Sequence, residues 1–356
     1  MPQEIVSHLT PFLGTQISDL TPDAWRWRQR RVLLADGTTA TMPDTETNQQ
    51  QFPQQGGQLP GLGFPICRLV GITCLSSGTL LNAAIGKFNG KGSGEQSLLR
   101  SIQDTFQLGD VLLGDAFYAT YFFIAQMIPH GVDQVMEQQG ARRRSTDLRR
   151  GKRLGERDHL IHINKPVIKP SWMSNKAYQE AAKSIRVREC HTGGRILVST
   201  LCDRSIHKAE LGELYQQRWP VELDIRQIKE TMRMNILSCR SPKMVTKEIW
   251  TTLLAYNSIR LMMAQSAVLA DIKPRNLSFK HCLQLWLAWR QRYPLTNELD
   301  YHQLFQLMSQ QRVGNRPGRR EPRAVKRRPK AYPLLTKPRH EARQHVLKFG
   351  HPKKLK

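Results

Sequence analysis

The first third of the chain alternates short apolar runs with turn residues. Residues 31–36 make an apolar strand pattern that ends on Asp36 and runs into Gly37. Residues 64–74 and 79–86 read as two further strands, joined by Ser76-Ser77-Gly78 in the manner of a hairpin turn. After a glycine-rich loop, residues 95–106 carry a helical pattern, 110–115 a short buried strand and 117–128 a second helix. The first thirty residues are short and mixed, with a helix predicted around 22–30.

Between residues 131 and 201 the texture changes to alternating runs at 159–163, 185–190 and 195–201. The last two are joined by His191-Thr192-Gly193-Gly194, a strong hairpin signal. This segment, which also holds Arg142-Arg143-Arg144, is expected to be a β-rich insertion. From residue 208 the pattern is helical: 209–219, a break at Pro220, then 221–234 with proline in the first turn, where its missing N–H costs nothing. Residues 247–269 and 279–290 are amphipathic helices, the second capped by Ser278. Strands first, helices last and a β-rich piece between them predict an α/β core with an insertion ahead of a C-terminal helical layer. The expected division is a leader (1–30), a first part of the core (31–130), the insertion (131–201), the second part of the core with C-terminal helices (202–310), and a tail (311–356).

Charge sharpens this picture. The 356 residues include 54 Lys and Arg against 29 acids, a net charge of +25 that calls for a polyanionic partner. A ribosome-associated or merely basic protein is the plainer alternative. About +14 of the excess lies after residue 310, where basic side chains outnumber Glu321 and Glu341. Such a tail is expected to be disordered when free and to touch phosphates without reading bases. Six cysteines without a C-x-x-C pair predict reduced thiols rather than a disulfide or zinc framework. No signal peptide is visible, and the most apolar stretch, 116–128, is too short to span a bilayer. A soluble, cytoplasmic protein is expected.

Phosphodiester chemistry without a covalent enzyme intermediate needs an activated oxygen nucleophile and charge neutralisation at the leaving oxygen. Two divalent ions about 4 Å apart supply both, held by a few carboxylates on different elements. Mg²⁺ prefers oxygen ligands and keeps several waters, so three acids suffice. Asp36 and Asp115 at strand ends, and Glu222 near a helix start, have the required positions. An isolated strand-end aspartate is more often a turn former, and Asp44, Asp104 and Asp110 are not separated from these by position alone. The helix adds a pattern: Tyr215, Arg218, Glu222 and Lys229 form Y-x-x-R-x-x-x-E-x-x-x-x-x-x-K. Spacings of four and seven return to one helical face, so Arg218, Glu222 and Lys229 would share an edge if Pro220 bends the helix only mildly. An exposed ion-pair ladder is the alternative.

That pattern resembles the signature of the DDE transposases of the insertion-sequence-four family. A first acidic motif similar to the family's stands at Asp36-Gly37-Thr38, followed by Pro43-Asp44, Asn48 and Phe52. A second stands at Leu112-Leu113-Gly114-Asp115-Ala116-Phe117-Tyr118, and Ala255-Tyr256-Asn257 with Arg260 also looks familial. The likeness covers residues 33–269, about two-thirds of the chain. It implies a ribonuclease H-like core, with Asp36, Asp115 and Glu222 as the catalytic, metal-binding triad and two Mg²⁺ (or Mn²⁺) ions as cofactors. It implies that Tyr215, Arg218 and Lys229 bind backbone phosphates of a transposon end, for which a hydroxyl, a guanidinium fork and an ammonium are suited. Double-stranded DNA, as transposon end and target, and a synaptic dimer are the implied partners of a cut-and-paste reaction. Trp172 lies in the insertion, where relatives stack an aromatic on a flipped base; a buried core tryptophan is the competing reading.

Two departures from the family matter. Ala116-Phe117 follow Asp115 where relatives usually carry Arg-Gly-aromatic, which weakens local phosphate contact more than metal binding. Only 35 residues precede Asp36, so the relatives' helical DNA-binding domain is expected to be missing, as in an N-terminally truncated copy. The glycine-rich segment 86–93 has three residues where a P-loop needs four, and His159 and His162 lack the partners of a zinc site. A non-catalytic nucleic-acid-binding protein would account equally well for the charge, but not for three acids in the family's order.

Overall fold

The computed structural model describes residues 2–90, 92–292, 298–314 and 336–350. Among them, nine strands join in one sheet: β1 (Val32–Thr41), β2 (Ile66–Cys74), β3 (Leu80–Lys87), β4 (Val111–Gly114), β5 (Asp133–Glu137), β6 (Lys152–Gly155), β7 (Asp158–Asn164), β8 (Ser184–Thr192) and β9 (Arg195–Ser199). Their order is β3-β2-β1-β4-β5-β9-β8-β7-β6. Strands β1, β2 and β3 pair antiparallel, whereas β1, β4 and β5 run parallel. Parallel neighbours need crossovers, which α3 (Glu95–Ser101) and α4 (Tyr121–Met127) supply. This topology is that of a ribonuclease H-like α/β core. It explains why β4 reads as an unbroken apolar run: all four of its residues are buried.

The insertion does not stand apart from the core. Strand β9 pairs antiparallel with β5, and β8, β7 and β6 follow, so residues 131–201 extend the core sheet. The Gly193-Gly194 turn joins β8 and β9 as its sequence predicts, with φ of +56° and +74°. Two short helices, α5 (Gly140–Ser145) and α6 (Asn175–Glu180), sit between these strands.

Side-chain alternation gives the sheet two unlike faces. Leu33, Ala35, Val70, Ile72 and Leu112 pack in one apolar cluster with α3 and α4. On the other face Val32, Leu34, Val111 and Leu113 pack with α7 (Lys208–Gln216) and α8 (Pro220–Arg226). Beside them, α9 (Pro242–Leu269), α10 (Phe279–Arg292) and α11 (Glu298–Ser309) complete a C-terminal helical layer over β1–β3. No helix among the described residues is long and apolar enough to cross a membrane.

Several elements differ from the sequence reading. Strand β1 does not end at Asp36 but continues to Thr41, because the β2 partner keeps pairing to Thr41↔Ile66. The leader is not merely mixed: α1 (Gln3–Asp19) packs on α9 and β3, with Gly14 so close to the Leu80 carbonyl that a methyl group would clash. Around 22–30 only the single 3-10 turn Asp23–Trp25 forms. The helix predicted over 221–234 is shorter, α8 being followed by a π-helical turn, Gln227–Thr231. Short α2 (Glu46–Gln51) follows β1. Most of the tail lies outside the described residues, but 336–350 carry α12 (Arg339–Phe349), a helix where disorder was expected.

Candidate active site

Two adjacent strands set the aspartates. The parallel register runs Val32↔Val111, Leu33↔Leu112, Leu34↔Leu113, and Asp115, one residue past the end of β4, lies close enough to Asp36 to be felt by its charge. Neighbouring strands lie about 4.8 Å apart, and both positions alternate onto the face covered by α7 and α8. Each carboxylate is tethered locally: Asp36 accepts from the Gly37 N–H at 2.8 Å, Asp115 from the Phe117 N–H at 2.9 Å.

Helix α8 packs on β1, and its Glu222 pairs with Arg218, a residue that also lies near Asp36. Asp36, Val221, Asp224 and Ile225 line one small cavity of about 20 Å³, the scale of a single water. The helix is held there by a buried ion network. Asp224, fully buried, receives Arg260 at 2.6 Å and Arg275 at 2.8 Å. Arg260 also donates to the Tyr256 hydroxyl, which donates in turn to the Gly78 carbonyl in the β2–β3 turn. Gly78 has φ of +73°, and a side chain there would meet the Arg260 guanidinium at 2.8 Å, so this turn admits only glycine. Asn257 bonds both the N–H and the carbonyl of Leu80. The Tyr256-Asn257 and Arg260 positions of the third motif thus fasten α9 and α8 to the core. Beyond the π turn, Leu237 N–H donates to the Thr41 carbonyl, and Asn48 bridges the Pro43 and Cys239 carbonyls.

The basic positions separate into different environments. Arg218, in the turn between α7 and α8, pairs with Glu222 at 2.9 Å and lies near enough to Asp36 to favour its charged form. Lys229 sits half-buried in the π turn, whose wider winding rotates it away from the edge a regular helix would give it. Among the described residues Lys229 makes no ion pair. The ring of Tyr215 is buried in the cluster under β1, β4, β5 and β9; its hydroxyl meets the Glu137 backbone and lies near Arg218. Trp172 is not a core residue. It is 38 % exposed, with Arg100 over one face at 3.6 Å and Phe122 edge-on. Asp110 is a buried partner of Arg31 at 2.8 Å, and Asp44, on a loop, and Asp104, in a 3-10 turn, are exposed, so these three drop out.

A fourth acid, missed in the sequence, closes on the site from the other face. Glu95 begins α3, and its carboxyl fills the space where a Cβ on Gly37 would stand, Cδ lying 2.4 Å from that position. Next to Gly114, the Tyr118 Cβ lies 3.3 Å from the equivalent position, with its ring and the Met136 methyl at 3.4 Å. Tyr118 is fully buried, yet its hydroxyl has no hydrogen-bond partner. The signal in the sequence was glycine inside a strand, which marks close approach of another group.

Burial pushes the Asp36 carboxyl up to about 6, with Asp115 and Glu95 adding to the rise; the Gly37 N–H and Arg218 oppose it. Burial also raises Glu95, helped by Asp115 and opposed by Arg68. These hard oxygen donors crowd together with less positive charge than they need, and a buried hydroxyl beside them lacks a partner. Both observations fit a divalent cation. Among the described residues no three acids, histidines or thiols already form a ligand cluster, and Glu222 is engaged by Arg218 instead.

The transposase InsG of insertion sequence element IS4 from Escherichia coli K12 is 28% identical over 324 residues, covering 87% of this chain and 71% of its own length. The pattern of the transposase DDE domain matches residues 27–258, which include β1, β4, α8 and the Tyr256-Asn257 brace. Members of that family bind DNA and cut and rejoin it in a divalent-metal-dependent reaction, and by this match over most of its length the chain belongs to the DDE transposases.

Proposed function

We propose that the chain carries out cut-and-paste transposition of an insertion sequence, with Asp36, Asp115 and Glu222 as its metal-binding triad. The observation that supports this most is the closeness of Asp36 on β1 to Asp115 just past the end of the paired strand β4, with α8 packed on the same face. Two Mg²⁺ or Mn²⁺ ions bound there would activate the attacking oxygen and neutralise the leaving one. Asp36 and Asp115 hold their carboxylates towards α8, and Glu222 joins them once Arg218 turns from it to a DNA phosphate. A guanidinium suits that exchange, since carboxylate and phosphate present the same oxygen geometry. Lys229 adds a point charge along the strand, and Tyr215 steadies Arg218 from beneath and offers its hydroxyl to the same backbone. Trp172 stacks on an unpaired base with the ring face that Arg100 now covers. The partners are double-stranded DNA, as end and target, and a second copy in the synaptic complex, on the nucleoid in the bacterial cytoplasm.

The test is cleavage of a duplex carrying the element's ends in Mg²⁺ or Mn²⁺. Asp36→Asn, Asp115→Asn and Glu222→Gln should each lower the rate by about a thousandfold or more, roughly 4 kcal/mol, with DNA binding kept. Cleavage at wild-type rates in any of the three removes that residue from the triad. The Arg218–Glu222 pair also suits a second reading, a copy that grips DNA without cutting it. Metal-dependent nicking by the wild-type protein eliminates that reading.

A further inference from the structure

We propose that Glu95 is a fourth carboxylate of the nuclease site, which with the Tyr118 hydroxyl holds metal-bound water on the sheet face opposite Glu222. This rests on the triad reading above. Both residues approach the aspartates through gaps left by glycine: Glu95 stands against Gly37, next to Asp36, and Tyr118 stands against Gly114, next to Asp115. Gly37 is not among the residues with positive φ, so its backbone would accept any side chain. It is the Glu95 carboxyl that stands where one would go.

Strand β4 stops at Gly114 while β1 runs on to Thr41. Beside Gly37 the sheet therefore has an open notch, and groups from the α3 layer reach the aspartates around the end of β4. Glu95 and Tyr118 both lie within electrostatic reach of Asp36 and Asp115. The buried Tyr118 hydroxyl finds no partner among the protein atoms, although leaving a buried hydroxyl unpaired is destabilising. Asp36, Asp115 and Glu95 all lie near enough to disfavour its ionisation, so it faces the acids. Arg68 lies beside Glu95 and likewise has a buried Nε without a partner. A hydrated cation supplies what is missing: water oxygens to accept from Tyr118 and water hydrogens for Glu95. Divalent ions of the Mg²⁺ type keep several waters, and these need outer carboxylates to orient them.

The alternative is a Glu95 that merely complements the first turn of α3. Metal binding separates the two. The full chain would be titrated with Mn²⁺ alone, with free Mn²⁺ followed by electron paramagnetic resonance and folding checked by circular dichroism. Glu95→Gln keeps the shape and removes the charge, and should weaken Mn²⁺ binding about tenfold, or 1.4 kcal/mol. Tyr118→Phe should weaken it by a smaller factor, and Asp36→Asn should abolish the tightest site. A wild-type isotherm for Glu95→Gln, with Asp36→Asn defective, overturns the Glu95 proposal and leaves the triad standing. A wild-type isotherm for Asp36→Asn overturns the triad reading, and the Glu95 proposal with it.

Discussion

Glu222 and Asp224 stand two residues apart on α8, yet their surroundings are opposite. Asp224 is fully buried and receives two arginines, each of which is fixed by further hydrogen bonds. Glu222 is about one-third exposed and holds one arginine, which Asp36 also attracts. The first carboxylate is satisfied by the protein alone; the second belongs to a group of acids that is not. A half-turn of helix separates a structural acid from a reactive one, and the difference lies in whether compensation is complete. Incomplete compensation is what leaves room for a cation.

Removing the structural acid gives the largest expected effect on stability. Asp224→Ala strands Arg260 and Arg275 without their counter-ion and should cost about 3–5 kcal/mol in urea unfolding. A loss under 1 kcal/mol would mean that the network relaxes and that the contrast with Glu222 is overdrawn. The reactive side should respond with the opposite sign. Folded Asp36 holds its proton more tightly than an unstructured aspartate, so its ionisation weakens the metal-free fold. This group's contribution therefore rises as pH falls through about 6 and levels off near the unfolded value of 3.8. Asp36→Asn should stabilise the metal-free protein at pH 7.5 by on the order of 2 kcal/mol, and by much less at pH 4. Equal stability of the two proteins at pH 7.5 would show that Asp36 is already compensated. The smallest effects belong to the cations. Arg218→Ala and Lys229→Ala should each lower the salt slope of DNA binding by about one. Unchanged slopes would remove both from the DNA-binding face and leave Arg218 as the ion-pair partner of Glu222 alone.

The sequence made the sheet core legible because burial on both faces leaves a continuous apolar run, as in β4, and because Gly193-Gly194 demands a tight turn. Asp115 could be placed at a strand end for the same reason. Asp36 could not, since β1 outlasts its apolar stretch only through pairing with β2, a contact made 25 or more residues later in the chain. The π turn was hidden too: the spacing of Arg218, Glu222 and Lys229 assumes regular winding, and Thr41, Asn48 and the segment after α8 decide otherwise. Asp224 was passed over because two arginines that sit 36 and 51 residues away make it structural. Glu95 escaped because its only local mark is a helix start. Its partner in the sequence is a glycine 58 positions earlier, and a missing side chain carries no chemistry to search for.

The occupied space beside Gly37 has a consequence over evolutionary time. An ordinary backbone conformation leaves nothing local to hold this position as glycine; the constraint is imposed from α3. In a lineage that loses the Glu95 carboxylate, position 37 becomes open to alanine or serine at once, and a lineage that acquires alanine at 37 first must swing the Glu95 side chain out of its place beside the aspartates. The two positions are therefore coupled through the placement of one side chain. A substitution that is damaging in one copy of the element becomes neutral in another, according to which of the pair changed first.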